Sequence, residues 1–349
     1  MSDSGAFDKY RRWVVWAIVL GVVLYAGGSM WADSEKVGDE FARMNWWFYL
    51  GALLLTLVNY AMRGLKWHYL VTVLGIRISP RENGRIFLAG LSMTISPGKA
   101  GEMLKPYLVS KRTGVSMTKS VPALVAERLT DIIAIVILMA LALPSMGGNA
   151  GDHTIALIAI AAVITLGLAV IASERLSLAI IGVAERLPVV GKIAEKIEVL
   201  YRSTRLCLAP VPLISMIVLS FVAWGLECVG FLLVFEGMGL EISLSQATFI
   251  YAAGTVVGGL VSIVPGGVGA AEGSIIGLLM KLPIVVTEAQ ALTAAMLIRI
   301  ATLWMGVILG AGTLLGLDEL LKQADLEELE EEDFTRIDTA EELVKASIE

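Results

Sequence analysis

A chain of 349 residues with 56% hydrophobic and 17% charged side chains, and a mean hydropathy of +0.77, is too apolar for a soluble domain of its length and reads as a polytopic membrane protein. The formal charge of -6 comes mostly from the acidic stretch after about Asp318, so it says little about the membrane part. Cys207 and Cys228 lie in no CxxC or Cys/His cluster, His68 and His153 are the only histidines, and no HExxH or GxSxG pattern occurs. Disulfide, zinc and serine chemistry are therefore poorly served, and neither metal nor cofactor is expected.

At about 20 residues per crossing, the first span runs from Trp13 to Trp31, behind Lys9, Arg11 and Arg12. A signal peptide is the alternative there, but no small-residue cleavage site follows. The second span runs from Trp46 to about Arg63, with Trp46-Trp47 at its start and Arg63, Lys66 and Trp67 at its end read as interfacial anchors. The apolar pieces Ile86 to Ser96 and Met103 to Val109 are too short to cross and flank Pro97-Gly98-Lys99-Ala100-Gly101-Glu102, so they read as a re-entrant broken hairpin. Spans follow at Ser120 to Leu143 and His153 to Ala172, then a basic amphipathic linker, 173–209, expected on the membrane surface. After it come a span from Val211 to Phe235 and a second broken pair, Ala247 to Val264 and Ala270 to Leu282, around Pro265-Gly266-Gly267-Val268-Gly269-Ala270-Ala271-Glu272. The last span is Ala289 to Leu315, and an acidic tail, 316–349, completes the chain.

Basic residues collect on the cytoplasmic side. Lys9, Arg11 and Arg12, the group from Arg63 to Arg85, and the linker bases from Arg175 to Arg205 all place their segments inside, so both termini are expected in the cytoplasm. The first hairpin then enters from the cytoplasm and the second from the outer face. The expected fold is an all-α transmembrane bundle with an inverted-topology repeat, units 46–143 and 211–315, within a membrane domain covering 1–315. Hairpins entering from opposite faces meet near the midplane, where transporters place substrate sites at half-helix ends. The competing reading makes both Pro-Gly elements interfacial turns between short spans, since Ala247 to Val264 is long enough to cross.

Chemistry concentrates at Glu127-Arg128-Leu129-Thr130-Asp131 inside an apolar segment. Three uncompensated charges there would cost about 8 to 10 kcal/mol at about 2.5 to 3.5 each. They must be paired, hydrated or turned to the repeat interface. In one reading Arg128 is a brace, held by Asp131 and by Glu102 or Glu272. In the other, Arg128 and Arg299 contact an anionic headgroup, because a guanidinium fork suits phosphate. Backbone N-H groups after Pro97-Gly98 and Pro265-Gly266, together with Lys99, would add to such a site. Gly101, Gly267 and Gly269 let the backbone approach closely. Glu227, mid-span, is either a path residue or a protonated hydrogen-bond donor. Intramembrane Glu102, Glu127 and Glu272 are candidates for proton coupling, and no GxxxxGK[ST] loop is present to use a nucleotide.

Arg63-x-x-Lys66-Trp67, Ser96-Pro97-Gly98-Lys99-Ala100-Gly101-Glu102, Glu127-Arg128-x-x-Asp131 and Pro265-Gly266-Gly267-Val268-Gly269 with Glu272, in that order, resemble the lysylphosphatidylglycerol synthase transmembrane-region, or flippase-like, family. The resemblance covers nearly all of the chain before the acidic tail. It implies an inner-membrane protein that moves a lipid between leaflets, with Pro97, Gly98, Gly101, Glu102, Glu127, Arg128, Asp131, Pro265, Gly266, Gly267, Gly269 and Glu272 as the matching positions. The two-part synthases continue into a soluble aminoacyl-transferring domain, whereas here an acidic segment follows, so lipid synthesis by this chain is not expected. Membrane lipids are the expected partners, with a lipid-modifying enzyme as a further candidate and nucleic acid excluded. Two other classes stay open: a polyprenyl-phosphate-dependent transferase with Glu127 or Asp131 as base, and a non-catalytic partner of a lipid-modifying enzyme.

Overall fold

The computed structural model describes residues 34–96, 101–147, 158, 162, 203–260, 268–281 and 286–316. Among these the chain is helical, with no strand. The expected span at 13–31, that at 153–172 apart from residues 158 and 162, the acidic tail after 316 and the linker from 173 to 202 lie outside the described residues, as do Pro97, Gly98, Lys99, Pro265, Gly266 and Gly267.

In chain order the helices are α1 (Ser34–Arg43), α2 (Trp46–Val73), α3 (Pro80–Leu91), α4 (Leu104–Thr113), α5 (Met117–Ala142), α6 (Pro210–Gly237), α7 (Leu244–Leu260), α8 (Ala270–Lys281) and α9 (Glu288–Arg299). A 3-10 turn at Leu143–Met146 extends α5. A π turn at Ile300–Trp304 carries α9 onward to Gly316. Four of these are apolar and long enough to cross a membrane: Trp46–Val73, Met117–Met146, Pro210–Gly237 and Glu288–Gly316. At about 1.5 Å per residue, 28 residues reach about 42 Å, more than the roughly 30 Å hydrocarbon layer. The 12-residue α3 and α8 reach only about 18 Å by the same measure.

Local sequence explains the ends. Asn45 caps α2 by accepting from the Trp47 N-H, and Ser79 caps α3 while Pro80 opens it. Thr287 and Gln290 form a capping box at the start of α9. Gly114, at φ 68°, closes α4 in the left-handed conformation.

The long helices α2 and α6 bury polar residues among apolar ones and turn an apolar face outward. On α2, Thr56, Asn59, Arg63 and Lys66 are buried, while Leu50, Leu54, Leu57, Val58 and Leu65 are exposed. On α6, Ser220 and Glu227 are buried, while Val211, Ile214, Val218 and Val222 are exposed. α2 packs along α6, and α5 packs against both α6 and α7. The short helices pack in pairs, α3 with α4 and α7 with α8. A Cβ on Gly258 would lie 2.8 Å from the Ala271 Cβ, so the α7–α8 contact depends on small residues spaced by four.

α2 does not end near Arg63 as the sequence reading had it but runs on to Val73. Arg63, Lys66 and Trp67 are therefore buried inside the bundle rather than anchored at an interface. Cys207 is buried against α2, its Sγ 3.9 Å from the Leu70 carbonyl.

Candidate functional site

Two apolar clusters divide the bundle. One gathers the C-terminal part of α2 with α3, α4 and the start of α5. The other gathers the start of α2 with the later part of α6 and with α7, α8 and α9. Between them, halfway along α2, α5 and α6, lies a layer of charged and hydroxyl side chains. Their helical spacing puts Arg63 with Lys66, Glu127 with Asp131, and Ser220 with Glu227 on inward faces.

Each charge in this layer has specific contacts, as burial requires. Lys66 Nζ, fully buried, donates to Asp131 Oδ1 at 2.6 Å, Ser220 Oγ at 2.6 Å and the Glu127 carbonyl at 2.9 Å. Ser220 Oγ also donates to Asp131 Oδ1, at 2.9 Å. Lys105 of α4 reaches up to Glu127 Oε2, with its ammonium 4.4 Å from the Trp67 ring centre and 5.4 Å from that of Phe87. Arg128 Nε donates to Glu102 Oε2 at 2.7 Å, and its terminal nitrogens face Asp131 Oδ2 at 3.6 Å and Glu127 Oε1 at 3.8 Å. Arg63 Nη2 stands 4.0 Å from the same Glu127 oxygen, its guanidinium over the Trp224 ring.

One contact near the α3–α4 pair recurs near the α7–α8 pair. Arg299 Nε donates to Glu272 Oε1 at 2.9 Å, as Arg128 does to Glu102. In both, a long-helix arginine holds a carboxylate next to the start of a short helix. The two adjoining glycines serve different ends. Gly101 is crowded, since a Cβ would sit 2.5 Å from the Met93 Cβ and 2.7 Å from Ser96 Oγ, to which its own N-H donates. Gly269 has φ +89°, open to glycine at no cost, and its N-H donates to Glu272 Oε2 at 2.7 Å. Glu272 thus caps α8 and binds Arg299 at once.

Glu227 sits apart from these pairs, accepting a 2.6 Å hydrogen bond from the Tyr251 hydroxyl. Tyr60 of α2 donates to the Thr302 carbonyl inside the π turn of α9 at 2.8 Å. Trp67 Nε1 donates to Asn83 at 2.8 Å and ties α2 to α3.

Of the residues singled out in the sequence, Glu102, Glu127, Arg128 and Asp131 come together in one network, and Glu272 and Arg299 form their own pair. Glu272 is not a partner of Arg128: it is held by Arg299 instead. Lys66, read from the sequence as an interfacial anchor, and Lys105 and Ser220, not singled out there, are integral to the layer. The inward polar stripe at 56, 59, 63 and 66 was a signal that could have placed Lys66 in it, and Lys105 is an ionisable group within the short apolar segment Met103 to Val109.

A family model described as the lysylphosphatidylglycerol synthase TM region matches residues 18–310. Among curated relatives, a UPF0104 membrane protein of Methanothermobacter thermautotrophicus is 27% identical over 324 residues, 87% of this chain and 93% of that protein. The UPF0104 membrane protein PH1989 of Pyrococcus horikoshii is 23% identical over 317 residues, 84% of this chain and 94% of that one. A more partial likeness, 22% over 147 residues, joins 42% of this chain to 24% of a protein named glycosyltransferase AglD, from Haloferax volcanii. With its long apolar helices and a match over most of its length, the chain is a multi-pass membrane protein and belongs to the lysylphosphatidylglycerol synthase transmembrane-region family.

Proposed function

We propose that this protein is a lipid translocase with no enzymatic step of its own, moving a lipid with an anionic headgroup between leaflets. The headgroup class comprises anionic phospholipids, glycolipids and polyprenyl-phosphate-linked lipids. The observation that carries this reading is the charged layer halfway along the membrane-crossing helices, buried among them and built from arginines, lysines and carboxylates. Ionisable groups at such a depth mark substrate and ion pathways, since a purely structural contact is made more cheaply by apolar packing.

The α3–α4 and α7–α8 pairs are read as re-entrant hairpins and the units 46–143 and 211–315 as an inverted repeat. The supporting feature is the repeated arginine–glutamate contact, Arg128 with Glu102 and Arg299 with Glu272, one for each pair. The membrane is the plasma, or inner, membrane, with both termini in the cytoplasm, on the distribution of basic residues. Energy comes from a gradient, the membrane potential or a partner such as a lipid-modifying enzyme, with Glu102, Glu127 and Glu272 as candidate proton carriers. A transferase using Glu127 or Asp131 as base is less well served, because Lys105 and Lys66 already occupy those carboxylates.

The test is movement of headgroup-labelled lipids in proteoliposomes, with anionic, zwitterionic and polyprenyl-phosphate lipids compared with and without an imposed potential. Selective movement of one class by the wild type, reduced in folded Arg128→Ala, supports the reading. Folded wild-type protein that moves none of them under either condition refutes it.

A further inference from the structure

The cations of the charged layer are not held equally. Arg63, Lys66, Lys105 and Arg128 meet the carboxylates of Glu102, Glu127 and Asp131, while Glu227, the fourth carboxylate of the layer, is bound by Tyr251. Arg63 is the cation held least closely. Lys66 is held by three acceptors, Lys105 by Glu127, and Arg128 by Glu102 with two more carboxylates nearby. Arg63 is 9% exposed. Among the described residues, the one carboxylate within ion-pair reach of it is Glu127, 4.0 Å away and beyond hydrogen bonding.

Two donors are left over at the same place. Arg63 Nε and Trp224 Nε1 are both buried and both without a hydrogen-bond partner. The Arg63 guanidinium lies over the Trp224 ring, 5.4 Å from its centre, so the two groups neighbour each other. The cation–π contact holds the guanidinium beside the indole, and its Nε-H has no acceptor. Leaving two N-H donors dry and unmatched is costly, and an oxyanion would satisfy both at once. Glu227, one turn along α6 from Trp224, is engaged by Tyr251 and makes no ion pair with Arg63.

We infer that Arg63 and the Trp224 indole N-H form the seat for a phosphate oxyanion, entering on the Nε edge of Arg63, and that Arg128 is a positioning residue that holds Glu102. The assignment of that phosphate to a lipid headgroup rests on the translocase reading. The seat itself does not.

The experiment is calorimetric titration of the detergent-purified protein with dihexanoyl phosphatidylglycerol, with dihexanoyl phosphatidylcholine and with glycerol 3-phosphate, each variant first shown to be folded by its melting curve. Wild type binds the short-chain phosphatidylglycerol. Arg63→Gln weakens binding by about 10- to 100-fold, the loss expected for a charge-assisted hydrogen bond. Arg63→Lys keeps the charge without the fork and falls between, and serves in place of Arg63→Gln should that variant not fold. Trp224→Phe keeps the ring and loses the N-H, weakening binding by about 3- to 10-fold. The surface variant Arg112→Gln binds as wild type does. Folded Arg63→Gln with wild-type affinity, or a wild type that binds none of the three probes, overturns the seat. Equal affinity for glycerol 3-phosphate and the lipid overturns the headgroup assignment alone. Transport by wild type together with Arg63-independent binding refutes this inference and spares the translocase. Arg63-dependent binding without any transport does the reverse.

Discussion

Replacing Lys66 with methionine is the sharpest test of whether the charged layer holds the bundle together. The ammonium makes three hydrogen bonds, to Asp131, Ser220 and the Glu127 carbonyl, from a fully buried position. Methionine fills a similar volume, so the change is one of charge and hydrogen bonding rather than packing. Asp131 Oδ1 would keep only its Ser220 contact, and its Oδ2 has no hydrogen-bond partner. Removing one member of a buried pair costs about 3 to 5 kcal/mol, because the remaining charge stays dry. For a protein of this size that is about 6 to 10 °C in melting temperature, taking the lower end of the usual slope of about 2 °C per kcal/mol. The measurement is the melting curve of the detergent-purified variant by intrinsic fluorescence. A second variant, Lys66→Met with Asp131→Asn, removes both charges and retains an acceptor for Ser220. It should recover at least half of the loss, since deleting a whole pair is far cheaper than breaking it. A single variant that melts within about 2 °C of wild type, on the same slope, or a double variant no better than the single, would refute the view that the pair is buried and dry.

Three further outcomes follow from contacts already described. Gly101→Ala should destabilise by about 1 to 3 kcal/mol, because its Cβ would collide with Met93 and Ser96, whereas Gly114→Ala tests a position limited by its φ of 68° alone; melting curves separate crowding from backbone strain. Tyr251→Phe removes the 2.6 Å donor to Glu227 and should cost about 1 to 3 kcal/mol, most of it recovered when Glu227→Leu is added. Cys207 and Cys228 are both buried, and burial pushes the Cys207 thiol up to about 12, so it holds its proton at pH 8. Maleimide should label neither cysteine in the native protein and both after unfolding, as read by intact mass.

The charged cluster was partly legible in the sequence because a polar residue inside a 20-residue apolar segment stands out. Glu127, Arg128 and Asp131 were found that way, and Glu102 and Glu272 through the Pro-Gly breaks beside them. Lys66 was missed because its span was ended at the first basic residue, on the rule that cations mark the interface. In the fold, α2 runs on past Arg63 with Leu65 exposed and Trp67, Leu70 and Val71 buried in the bundle. Lys105 was missed because its short segment, Met103 to Val109, was read only as one arm of a hairpin. Which carboxylate pairs with which arginine was beyond reach: spacing along α5 fixes the Arg128–Asp131 contact, but only the fold decides between Glu102 and Glu272 as the other partner.

The π turn at Ile300–Trp304 sets the phase of the last helix. One residue too many is wound into that turn, so the helix beyond it is rotated by about 100° relative to a continuous α-helix. Arg299, before the turn, faces Glu272, while the Thr302 carbonyl, within it, faces Tyr60 on α2. Through these two contacts α9 addresses the short α8 on one side and the long α2 on the other, and so couples the last short helix of the second half of the chain to the scaffold of the first.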